Sequence, residues 1–187
     1  MKYAGFWVRF GAYWLDFIVL LPIGALSLWA NNYHRLYAVY SFIPNTLFGL
    51  FYSIYLVRRF GGTPGKLLMG LRIRKVDGAP IGYQEAILRY LPEALLAAAM
   101  GVAILQSLLA MSDSEFLSLG FLDRSRRLIE TAPAWYRPTN WIYQGWIWSE
   151  FIVMMTNKKR RALHDFIAGT VVVRRDSQLQ TQPTPAG

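Results

Sequence analysis

Residues 6–30, FWVRFGAYWLDFIVLLPIGALSLWA, form an apolar run that carries two charges, Arg9 and Asp16. As a helix rising about 1.5 Å per residue, these 25 residues reach roughly 37 Å, against a hydrocarbon core of about 30 Å. Arg9 falls near one interface, where a long side chain can snorkel to the headgroups. Asp16 lies two turns deeper and is too short to escape. Burying it costs about 2.5–3.5 kcal/mol on the insertion scale, so it must face protein or water rather than lipid. The two charges share a helix face but stand roughly 10 Å apart along it, so each needs a partner elsewhere in the chain. Two readings of Asp16 stay open: a buried charge that fixes helix packing, and a group that binds an ion or a proton.

Outward from this run, the 187-residue chain is 54% hydrophobic and 16% aromatic, with mean hydropathy +0.24. The apolar residues come in long runs, as in a membrane protein of several helices. Asp16 interrupts any signal-peptide core, and the run is longer than such a core needs, so the first span is expected to be retained. With no Cys, disulfides and thiolate metal sites are excluded. The net charge of +9 comes from basic residues flanking apolar runs. That pattern suits a bilayer with anionic headgroups, and no nucleic-acid motif accompanies it.

The second run, Tyr37 to Val57, has no charge and contains Pro44 and Asn45, which predict a kink. Tyr37, Tyr40, Tyr52 and Tyr55 sit towards its ends, as interfacial anchors do. A basic connector, Arg58 to Tyr90, follows. Gly61, Gly62, Pro64 and Gly65 predict a turn, Leu67 to Val76 alternates loosely like a strand, and Asp77-Gly78 suggests a hairpin. The third run, Leu91 to Met111, continues a helix from Tyr83 and carries small residues four apart, Ala97 and Gly101, Ala99 and Ala103. Arg89 and Glu93, one turn apart, read as an ion pair at the membrane edge. Ser112 to Asn140 is polar and insertion-like. The fourth run, Asn140 to Thr156, is short, Trp-rich and holds Glu150, so it reads either as a span or as an interfacial helix.

The expected fold is therefore an all-α integral membrane protein of about four transmembrane helices, with a basic cytoplasmic connector between the second and third. Residues 1–175 form the membrane domain, and 176–187 form a disordered polar tail. Four spans place 15 Lys and Arg on one side and 5 on the other. The positive-inside rule then puts both termini in the cytoplasm.

Three stretches together resemble the RDD family of bacterial membrane proteins. They are AGFWVRFGAYWLDFIVLLP, holding Arg9 and Asp16; GGTPGKLLMGLRIRKVDGAPIGYQEAILRYL, with its G-x-T-x-G-K connector; and ALHDFIAGTVVV, holding Asp165. The resemblance implies a multi-span inner-membrane protein with a transport-related role, cation/proton exchange among the proposals. It names no substrate.

Such exchange needs a carboxylate that alternates between a proton and a cation, and Asp16 is the first candidate, with Glu150 and Glu93 behind it. Arg9 and Asp165 fall on the same expected side of the membrane, so Asp165 can neutralise Arg9. Reversing both charges should then restore what either single change loses. Arg58, Arg59 and Lys66 are expected to contact lipid phosphate. GGTPGK is one residue short of a P-loop, and Leu67 replaces the Mg²⁺-binding hydroxyl. His164-Asp165 lacks the further ligands a metal needs. No cofactor is implied, and no catalytic signature makes the chain an enzyme. Ion or small-solute transport is the first expectation. A non-catalytic protein that scaffolds or assists a membrane partner, alone or as a homo-oligomer, is the second.

Overall fold

The computed structural model describes residues 2–175, so the polar tail expected at 176–187 lies outside the described residues. The first apolar run is one helix, α1 (Phe6–Tyr33). The second is helical throughout but changes pitch. It passes from α2 (Tyr37–Leu50) through a π-helical turn (Phe51–Tyr55) into α3 (Leu56–Phe60). Gly61 ends it with φ +76°, the left-handed conformation that costs glycine least. The connector folds into α4 (Pro64–Leu68) and β1 (Leu71–Lys75). Then follow α5 (Tyr83–Ala110), α6 (Asp113–Ser118), α7 (Phe121–Glu130), α8 (Tyr136–Thr156), α9 (Leu163–Ile167) and β2 (Thr170–Arg174).

The molecule is mostly helical, but the all-α expectation is corrected by a small sheet. β1 pairs antiparallel with β2, Leu71 opposite Arg174 and Lys75 opposite Thr170. The Asp77-Gly78 turn does form, with Lys75 N–H donating to Ala79 O at 2.9 Å. It yields a single bridge, Arg74 to Pro80, rather than a hairpin. On its other edge β2 meets the N-terminal segment, where Ala4 N–H donates to Val172 O at 2.9 Å. With a neighbour on both edges and Thr170 to Val173 buried, β2 explains its own unbroken apolar run TVVV.

Two compact units divide the described chain. The first takes residues up to Leu20, Leu50–Pro92, and the chain from Ile147 onward. Its core joins Ala4, Ala12, Val57, Leu71, Ile73 and Val172. The second takes Leu21–Gly49 and Glu93–Trp146. Its core is Leu108, Met111 and Phe116, the last covered by the Arg124 guanidinium 3.9 Å from the ring centroid. Arg35 ties this unit together, donating to Asp113 at 2.5 Å and to Leu108 O at 2.9 Å.

α1 and α5, each 28 residues long, are long and apolar enough to cross a membrane, with mean hydropathy 1.6 and 1.8 in their most apolar windows. In α1 the usual order of burial is inverted. Only Ala12 and Asp16 are buried, while Trp7, Phe17, Ile18, Leu26 and Trp29 are exposed. A water-soluble fold does not leave such a continuous apolar surface bare around a buried carboxylate.

Candidate functional site

The first unit gathers most of the candidate residues into two clusters, each centred on an aspartate. The first begins with sequence on α4. Pro64 occupies its first helical position, where a missing N–H costs nothing, and leaves the Gly65 N–H without an intrahelical acceptor. That N–H donates to Asp16 Oδ1 at 2.7 Å. Thr63 occupies the N-cap, yet its hydroxyl does not cap α4. It donates instead to Asp16 Oδ2 at 2.5 Å. The third donor is the Tyr52 hydroxyl, 2.5 Å from Oδ1. Tyr52 lies in the π-helical turn, whose extra residue per turn shifts the direction of each side chain relative to an α-helix.

Asp16 is thus sheltered from lipid by three donors from two other segments. Gly65 allows the approach because it lacks a Cβ. One added there would collide with the Ala12 carbonyl and lie 2.6 Å from Asp16 N. Lys66 completes the cluster, its Nζ 3.3 Å from Thr63 Oγ1. Burial is the main influence lowering its ammonium below the ordinary lysine value, while Asp16 pulls it back up. Lys66 therefore turns toward the Asp16 cluster, where the sequence placed it on lipid phosphate.

The second cluster surrounds Asp165, which is fully buried. Its Oδ2 accepts from Arg9 Nη1 at 2.8 Å and from Ala162 N–H at 3.0 Å, the latter satisfying the first turn of α9. Its Oδ1 accepts from Arg89 Nη1, and from Thr170 Oγ1 at 3.1 Å. Burial alone would raise the Asp165 carboxyl, but the charges of Arg89 and Arg9, with the hydrogen bond from Arg9, outweigh it and hold the group below the usual carboxylate range.

Arg89 also reaches His164, with Nη2 2.6 Å from the ring Nε2. Because guanidinium only donates, Nε2 is the acceptor, which leaves the ring proton on Nδ1 to donate to Glu150. The run from Arg9 through Asp165, Arg89 and His164 to Glu150 joins α1, α5, α8 and α9. Arg161 braces its outer edge, donating to Asp165 O at 2.7 Å and Thr170 O at 3.0 Å.

Arg9 therefore meets Asp165, as the sequence suggested, and Asp16 finds its own separate partners. Glu150 belongs to the Asp165 cluster, bonded to His164. Glu93 is exposed and falls in the second unit, while Arg89, expected to pair with it, donates to Asp165, Thr170 and His164. Arg58 and Arg59 are exposed at the end of α3, Arg58 resting 5.6 Å from the Tyr83 ring centroid. Sequence reading missed Tyr52, Thr63 and Gly65 as partners of Asp16. The T-x-G spacing was the available signal, since it offers a hydroxyl and an unhindered N–H two residues apart.

Chemically, the two clusters fasten irregular segments to long helices. Asp16 holds the connector, and Asp165 draws α9 and β2 to α1 and α5. Among the described residues, no group of three or more His, Asp or Glu is placed to hold a metal ion. No curated protein and no solved structure matches the chain. Residues 3–169, which contain both aspartates and every partner described except Thr170, match the RDD family, and the chain belongs to that family of membrane-associated proteins.

Proposed function

We propose that this chain is a multi-pass bacterial inner-membrane protein whose charged clusters are structural locks and which assists or scaffolds a membrane partner. The observation that carries this reading is the hold of three donors on Asp16. A proton on Oδ1 would meet the Tyr52 O–H and the Gly65 N–H already pointing at it, and one on Oδ2 would require the Thr63 hydroxyl to turn from donor to acceptor. A cation bound at the carboxylate would displace these donors and loosen the connector.

Four crossings suit this reading: α1, the continuous helix from Tyr37 to Phe60, α5 and α8. The second helix has 24 residues in all, about 36 Å at the α-helical rise, although its pitch change divides it into shorter pieces. α8 has 21 residues, about 31 Å. Both termini are then cytoplasmic by the distribution of Lys and Arg.

A second reading, cation/proton exchange, is favoured by Lys66. Burial disfavours its charge and the Asp16 carboxylate favours it, so a cation drawn to Asp16 would compete with the lysine's proton. Proton flux into reconstituted vesicles, with Na⁺, K⁺ or Li⁺ added, separates the two. Asp16→Asn is the informative variant, since its amide oxygen keeps Tyr52 and Gly65 while the Thr63 hydroxyl turns to accept. The locking account expects no cation-dependent flux from either protein. Flux that needs the Asp16 carboxylate would establish exchange in its place.

A further inference from the structure

Four arginines gather apart from both aspartate clusters, where α3 meets β1. Gly61 turns the chain out of α3, and its carbonyl accepts from Ile73 N–H at 2.7 Å, which sets the strand beside the helix end. Strand alternation does the rest. Leu71 and Ile73 are buried in the core, so Arg72 and Arg74 fall on the opposite face. Arg58 and Arg59 come from the last turn of α3.

These four arginines, together with Phe60 and Pro80, line one partly open cavity of about 160 Å³. Its lining contains no acidic side chain among the described residues. Glu85, the nearby carboxylate on α5, is held by Lys75 at 2.6 Å and by Gly82 N–H. Arg72 sits below the ordinary arginine value, first through burial and then through the like charges of Arg175 and Arg74.

We infer that this cavity is a binding site for a compact phosphorylated anion carrying more than one negative charge. Guanidinium groups present paired donors that match phosphate oxygens, and four arginines lining one small cavity suit an anion that carries several such oxygens. The volume is below the roughly 300–1,000 Å³ of sites for drug-sized ligands, which suits a phosphate or diphosphate group rather than a whole nucleotide. Such a group comes either from a lipid headgroup or from a soluble phosphate. The inference holds under either reading of function, because neither aspartate cluster contributes to the cavity.

The test uses the full-length protein in nanodiscs. In phosphatidylcholine discs, inorganic pyrophosphate should bind saturably, and Arg72→Gln with Arg74→Gln should weaken it about tenfold or more. Arg58→Gln with Arg59→Gln, at exposed positions, supplies the same measurement should the strand variant fail to fold. Lys158→Gln with Lys159→Gln removes equal charge elsewhere and should leave affinity unchanged. In discs containing cardiolipin, native mass spectrometry should show that lipid retained over phosphatidylcholine if the headgroup is the ligand, with pyrophosphate displaced. If the soluble anion is the ligand, pyrophosphate binding persists there. Failure to hold either phosphate, or equal weakening by the lysine control, overturns the site.

Discussion

The backbone N–H of Gly65 donates to the side chain of Asp16 at 2.7 Å across 49 positions of sequence. A glycine in the connector and an acid in the first helix are thus parts of one contact. The acid escapes lipid because the connector brings it donors, and the connector is ordered because the acid accepts them. Neither half is stable alone, since a buried acid without donors and an orphan N–H each cost free energy.

Gly65→Ala should be among the most damaging small substitutions in the chain. Its Cβ would strike backbone, the Ala12 carbonyl and Asp16 N, which cannot swing aside as a side chain can. Overpacking of this kind costs about 1–3 kcal/mol or more. Gly24→Ala, which meets nothing within 4 Å, is the matched control. Thermal unfolding in detergent should show a large drop for the first and little change for the second.

Tyr52→Phe removes one donor and leaves the ring, so it should lower stability by about 1.5–3 kcal/mol, the range for a hydrogen bond to a charged group. Thr63→Val should cost a similar amount, and Thr63→Ser, which keeps the hydroxyl, should recover most of it. Equal unfolding midpoints for the Val and Ser variants would mean that the hydroxyl does not matter.

Exchanging the charges of Arg9 and Asp165 should not rescue the single variants, contrary to what the sequence suggested. Arg89 also donates to Asp165, so a cation placed at 165 would face Arg89 across a buried contact. Removing one partner from a buried network costs about 3–5 kcal/mol, and the swap adds a repulsion. Expression and unfolding of Arg9→Asp, Asp165→Arg and the double variant decide the matter. Recovery in the double variant would show that Arg89 is not engaged as described.

Acid should weaken the protein through Asp165. Its folded carboxyl is held below the ordinary range, so the unfolded chain takes up the proton first, near pH 4. The stabilisation is complete above about pH 4 and is lost as pH falls further toward the folded value. Unfolding midpoints should therefore drop with acidification below about pH 4, and Asp165→Asn should flatten that drop. A wild-type midpoint that rises over the same interval would contradict the assignment.

Much of this was legible where the physics is one-dimensional. An acid inside an apolar run must be sheltered whatever covers it, so Asp16 declared its need for partners before any were known. The sheet was harder to read. Leu71–Lys75 has a strand's alternation, but its partner Thr170–Arg174 is five residues long, too short for periodicity to distinguish strand from buried helix. Arg89 was drawn toward Glu93 because i, i+4 spacing shows only neighbours on one helix. The direction of Tyr52 depends on a change of helical pitch, and the aromatic sequence FYSIY does not announce it.

Hydrogen exchange at the connector tests the central claim most directly. In nanodiscs, the segment at residues 61–70 should exchange slowly in the wild type, because Thr63 and Gly65 are tied to Asp16. In Asp16→Ala that segment should exchange far faster, while β1, held by its ladder to β2, stays protected. Equally slow exchange of residues 61–70 in both proteins would show that the carboxylate does not hold the connector.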